Sequence, residues 1–236
     1  MTTTAMPVLV GCSHGTDDRR GRAAIHAVLE QVCAQRPGLD VREAFVDVQQ
    51  PEVADVVSDV LAAGGTAVVV PLLLSVGFHV RVDVAAAVDR PGATAAVPLG
   101  PDDALVGVLA DRLAAAGLRS DDALVLAAAG SSVPDAALAV EQVADGLAAR
   151  LGRPREELVV GYGAGAHPRV PDAVAAARAD GRRVVVASYL LAPGYFLDRV
   201  LEAGADVVSA PLAPDPRLAD LVLRRYDEAA AGLATS

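Results

Sequence analysis

The chain has 236 residues, is 53% hydrophobic and carries a formal net charge of −10, which excludes a disordered chain and a global electrostatic footprint for nucleic acid or anionic lipid. The length allows one large domain or two small ones. Aromatic residues make up 3% with no Trp, and all basic residues are Arg, which excludes stacking platforms for single strands, Schiff-base lysines and a Walker-A lysine.

Taken in chain order, short apolar runs alternate with amphipathic segments. Strands are predicted at 7–11, 41–46, 67–72, 94–97, 123–128, 158–162, 183–190 and 207–210. A helical segment follows each, clearest at 22–35, 52–63, 102–116, 135–151 and 216–231. The strands are apolar on both faces, as in a parallel sheet covered by helices on both sides. The alternation predicts a doubly wound α/β fold. Residues 60–80 carry no fixed charge, but Gly64, Gly65 and Pro71 interrupt them. They read as helix end, turn, buried strand and loop, so no membrane span is expected. Residues 1–10 lack the basic and long apolar regions of a signal peptide. Cys12 and Cys33 form neither a CxxC pair nor a disulfide framework, which points to a reducing, cytoplasmic compartment.

The chain repeats itself. At an offset of 117 residues Phe45 meets Tyr162, Pro51 meets Pro168, Gly64 meets Gly181, Gly77 meets Gly194 and Phe78 meets Tyr195. After a shift of four, Pro98, Leu99, Pro101 and Asp102 meet Pro211, Leu212, Pro214 and Asp215. The spacing is too long for a solenoid unit. It predicts two similar four-stranded parallel halves, residues 1–119 and 120–236.

Ligands of open α/β sheets bind at the carboxyl ends of the strands. Three chemical groups fall there in the first half: His14 after the first strand, Asp47 after the second and His79 after the third. Two imidazoles and a carboxylate suit a borderline divalent ion. Cys12 shares a strand face with His14 and reads as an apolar filler. His26 lies in a polar-faced helix, and His167 has no acidic partner nearby in sequence. The second half lacks these groups, with Phe196 opposite His79, Ala164 opposite Asp47 and Ser131 or a neighbour opposite His14. One metal site is therefore expected, in residues 1–119.

Two other motifs compete. Gly161, Gly163, Gly165 and Ala166 resemble a dinucleotide-binding loop, although Pro168 and Pro171 interrupt the following helix. Gly130, Ser131 and Ser132 form an exposed serine turn without the GxSxG pattern. A nucleotide-binding α/β module and a non-catalytic metal-delivery protein are the alternative functions.

The run Gly11, Cys12, Ser13, His14, Gly15, Thr16 resembles the opening motif of the sirohydrochlorin chelatases. The segment from Pro71 through Gly77, Phe78, His79 and Val80 to Asp83 resembles their second motif, and Ala44–Asp47 resembles a segment that in the family normally ends in Glu. The whole chain is similar to the long, two-domain form of these class II chelatases, with flavodoxin-like halves. The resemblance implies ATP-independent insertion of Fe²⁺ or Co²⁺, with Ni²⁺ also compatible, into a tetrapyrrole in siroheme or cobalamin biosynthesis. It implies His14 and His79 as metal ligands and catalytic groups, Asp47 as the acidic site residue, and no organic cofactor. The implied partner is sirohydrochlorin, a ring bearing eight carboxylates. Arg19, Arg20, Arg22 and Arg81 lie close to the histidines in sequence and are candidates to hold those carboxylates. Tyr195 and Phe196 are candidates for an apolar ring contact.

Overall fold

A computed structural model describes residues 6–77 and 79–233. Phe78, a member of the second motif, lies outside the described residues. Two four-stranded, all-parallel sheets form, each built from one sequence repeat. In the first, β1 (Val8–Ser13), β2 (Val41–Phe45), β3 (Ala67–Pro71) and β4 (Ala93–Ala95) run in the order β2-β1-β3-β4. In the second, β5 (Ala123–Ala128), β6 (Leu158–Tyr162), β7 (Val184–Tyr189) and β8 (Val207–Val208) repeat that order as β6-β5-β7-β8. The central strands are buried along their whole length, which is why they read as unbroken apolar runs rather than alternating ones.

The helices are α1 (Arg19–Gln35), α2 (Val53–Ala62), α3 (Ala85–Val88), α4 (Asp103–Ala115), α5 (Pro134–Leu151), α6 (Val170–Ala177), α7 (Tyr195–Leu201) and α8 (Pro216–Leu233). In the first sheet, Val8, Val10 and Cys12 of β1 pack with Val53, Val56, Val57 and Val60 of α2. Gly11 points to the opposite face, where an added Cβ would stand 2.6 Å from Leu29 of α1. Two-residue alternation along β1 thus separates the helix layers.

The compact units are not residues 1–119 and 120–236. One unit is 1–99 with 216–236, and the other is 100–215. The last helix of each repeat has been exchanged. Helix α8 packs beside α1 and against β3 and β4, while α4 packs beside α5 and against β7. Matching arginines fasten the exchange. Arg112 of α4 donates to the carbonyls of Pro211, Leu212 and Pro214 at 3.1, 3.1 and 2.8 Å. Its counterpart Arg225 of α8 donates to the Pro98 carbonyl at 3.3 Å, and Tyr226 Oη donates to the Pro7 carbonyl at 2.6 Å. The repeat offset aligns α4 with α8 but does not say which sheet each covers, because both helices present similar apolar faces.

The four-residue shift also has a place. Val68 pairs with Thr94, and Val185 pairs with Val207. The extra residues of the first repeat therefore fall between Gly77 and Thr94, in the segment that carries His79. That segment opens with a π-helical turn, Val80–Val84, before α3, where the second repeat has only the α-helix α7. Single π-helical turns recur at functional sites.

Candidate metal centre

Each of the three predicted groups is set by the carboxyl end of a different strand. His14 follows β1 directly, and its carbonyl accepts from Asp47 N–H at 3.1 Å, extending the β1–β2 ladder by one rung. Asp47 lies two residues past β2, and one of its carboxylate oxygens accepts from Val48 N–H at 2.8 Å. Thr16 N–H donates to Gln49 Oε1 at 2.9 Å, which ties the two loops together again. Gly15 has φ 91°, and a Cβ there would stand 2.4 Å from the Asp47 carbonyl oxygen. Glycine is required by both conformation and contact. His79 immediately precedes the π-helical turn.

These loops bring one ligand atom from each of His14, Asp47 and His79 within 4.8 Å of one another. The imidazole centroids are 4.7 Å apart, with the ring planes at 89°. Metal–nitrogen and metal–oxygen bonds of about 2.1 Å allow ligand atoms on one ion to be at most about 4.2 Å apart. The cluster therefore closes on an ion by a shift of under about 1 Å. His14 and Asp47 are exposed and His79 is half-buried. Structural zinc sites take four protein ligands; three ligands at an open edge leave coordination positions accessible to an incoming group.

Asp83, the last residue of the second motif, adds a fourth group to the site. Asp83 Oδ2 lies 2.7 Å from His79 Nδ1. With an ionised Asp83 accepting from Nδ1–H, the Nε2 lone pair is left for a metal. The four-residue spacing of His79 and Asp83 on a helical turn is the signal that could have found it.

Cys12 is buried in the α2-side core, and burial, with a smaller effect from nearby Asp83, pushes its thiol up to about 12. It is a neutral filler there. Arg20 donates through its backbone and side chain to Asp18, and these bonds hold the Asp18 carboxyl at about 2. Arg22 donates to the Thr16 carbonyl and to Asp17. Arg19 and Arg81 are exposed. His26 is exposed, 3.5 Å from Glu30, and His167 is exposed.

In the second repeat, Ala164 N–H donates to the Ala129 carbonyl, so Ala129, not Ser131, is the counterpart of His14. Ser131 corresponds to Thr16: its hydroxyl accepts from Val133 N–H as that of Thr16 does from Asp18 N–H. Phe196 packs against its own unit's core, and its ring would stand 2.7 Å from a Cβ at Gly163. Tyr195 is exposed and lies edge-on to Phe196. The glycines of the 161–166 loop are filled by protein: Gly161 faces Val170 and Ala173, Gly163 faces Phe196, and Gly165 faces Ser131. These contacts account for the glycines without a nucleotide.

Fold and cluster together define a class: duplicated parallel α/β proteins with a His–His–carboxylate group at one strand edge. A model of the CbiX family matches residues 8–116 and again residues 123–229. The chain belongs to the CbiX family. No curated protein sequence matches it. Among solved structures, it is similar to SirB from Bacillus subtilis with Fe³⁺, at 22% identity over 98% of each chain and a TM-score of 0.80. It is also similar to the sirohydrochlorin chelatase SirB from Bacillus subtilis subspecies spizizenii in complex with cobalt, at 21% identity over 95% of each chain and a TM-score of 0.76. A third likeness is to DR2241 from Deinococcus radiodurans, a multi-domain protein with structural similarity to chelatases. It has 19% identity and a TM-score of 0.62, covering 94% of this chain and 54% of that one. At these identities the likeness is one of fold.

Proposed function

We propose that this protein is a sirohydrochlorin chelatase that inserts Fe²⁺ or Co²⁺ into the ring without ATP. The convergence of His14, Asp47 and His79 at an open edge carries this reading. Membership of the CbiX family and the fold shared with SirB support it.

Insertion exchanges two pyrrole N–H protons for one divalent ion. The ion is substrate and is held only until the ring takes it. Neutral imidazoles bind it, since protonated ones cannot. As ring nitrogens replace the protein ligands, each released imidazole becomes a base beside an acidified N–H. General-base help of this kind is worth about 10²–10⁴-fold. Asp83 stabilises the imidazolium formed at His79 through the Nδ1 contact, and Asp47 supplies a further acceptor. Arg19, Arg20, Arg22 and Arg81 are the proposed contacts for substrate carboxylates; Arg20 and Arg22 also pair with Asp18 and Asp17.

The partner is thus a small tetrapyrrole, and the proposed compartment is the cytoplasm. Among the described residues no helix is long and apolar enough to cross a membrane. Anaerobic incubation with sirohydrochlorin and Fe²⁺, Co²⁺ or Ni²⁺, followed by absorption spectra, tests the reading. Protein-dependent conversion to the metallated spectrum is expected. Metal uptake by the protein with no acceleration of ring metallation would overturn it in favour of metal delivery.

A further inference from the structure

Val48 follows Asp47 directly and is unusual in two ways. It is the one non-glycine residue with positive φ among the described residues, at 58°. It is also 50% exposed, so core packing does not offset the strained backbone. A β-branched residue in the left-handed region is an outlier. The 117-residue offset places Gly165 at this position in the second repeat, with φ 67°, the residue that adopts this conformation freely. A turn needed only for folding would carry glycine in both repeats. The valine stands in the repeat that has the metal cluster, beside one of its ligands. Strain of this kind persists where surrounding structure enforces it, and it concentrates at functional sites.

A second exposed apolar side chain flanks another ligand. Val82, 45% exposed, lies three residues after His79 in the π-helical turn. The two exposed valines thus flank two of the ligands, Asp47 and His79, from different loops. The group that receives the ion is a macrocycle with apolar faces and a carboxylate rim, and it must lie face-on to the cluster.

We propose that Val48, with Val82, forms the apolar seat for the face of the tetrapyrrole over His14, Asp47 and His79, making Val48 a substrate-positioning residue. This rests on the chelatase reading above.

The test compares wild type with Val48→Gly, Val48→Ser and Val48→Ile. Metal-free sirohydrochlorin is titrated by its fluorescence, Co²⁺ by calorimetry, and stability is read as a thermal midpoint. Val48→Gly is expected to weaken ring binding and raise KM about tenfold, the order expected from losing one apolar side chain. It keeps Co²⁺ affinity within about twofold and raises the midpoint as the strain is released. Val48→Ser weakens the ring without the gain in midpoint, and Val48→Ile retains ring affinity. Unchanged ring affinity in Val48→Gly, or ring and Co²⁺ affinity falling together, overturns the proposal. Those outcomes presuppose a wild type that metallates the ring; a wild type that does not would overturn the chelatase reading and this seat with it.

Discussion

Gly15 and Asp47 touch so closely that a single methyl group on Gly15 would stand 2.4 Å from the Asp47 carbonyl oxygen. The contact fixes the spacing of two loops that each present one ligand. The second repeat keeps the same contact, with Gly130 held against the Ala164 carbonyl, although it lacks the ligands. The frame is therefore separable from the chemistry it carries.

Gly15→Ala should push the His14 and Asp47 loops apart and strain a backbone at φ 91°. Co²⁺ affinity is expected to fall by about tenfold or more, since site geometry is sensitive to displacements of this size. Calorimetric titration checks this. Gly130→Ala, with the same clash in the other unit, should destabilise that unit and leave Co²⁺ affinity within about twofold.

Asp83 is expected to act through His79. Removing partners of ligating histidines typically costs about 10–100-fold in metal affinity or activity. Asp83→Asn should lie at the lower end and Asp83→Ala at the upper. Nitrogen chemical shifts of His79 should show the loss of the Nδ1–H tautomer in Asp83→Ala. An unchanged tautomer would remove Asp83 from the site.

The exchanged helices depend on Arg112 and Arg225. Hydrogen bonds to charged groups contribute about 1.5–3 kcal/mol, and Arg112 makes three to carbonyls in its unit. Arg112→Ala should lower stability by about 2 kcal/mol, and Arg225→Ala, with its longer bond to Pro98, by less. Urea unfolding followed by circular dichroism gives both values.

The two cysteines should differ in reactivity. Cys33 is exposed and Cys12 buried. One thiol per folded chain should react with an aromatic disulfide reagent at pH 8, and two after unfolding. Because the folded Cys12 thiol lies above its ordinary value, at about 12, the folded state holds a proton that the unfolded state gives up. Its contribution is fully present below pH 9 and declines as pH rises toward 12. Cys12→Ala should flatten that alkaline decline.

The fold was legible because buried parallel strands leave unbroken apolar runs, as at Val68, Val69 and Val70, and because Gly and Pro punctuate both repeats alike. The cluster was legible because His14, Asp47 and His79 each end a strand segment. Three things were not. The exchange of α4 and α8 depends on which of two similar apolar faces each helix meets, and no local pattern records that. The counterpart of His14 is Ala129, which the offset misses because the β1–β5 correspondence is two residues shorter than that of β2 and β6. The strain at Val48 is a backbone property that valine would not suggest.

The chemistry proposed for this chain rests on one metal site, the cluster at the first sheet's edge. Anaerobic calorimetric titration with Co²⁺ in the absence of tetrapyrrole tests it most directly, on wild type, His14→Ala, His79→Ala and the double variant. One strong site per chain is expected, lost in either single variant, with His26→Ala unchanged. Two strong sites per chain, or one that survives loss of both His14 and His79, would contradict it.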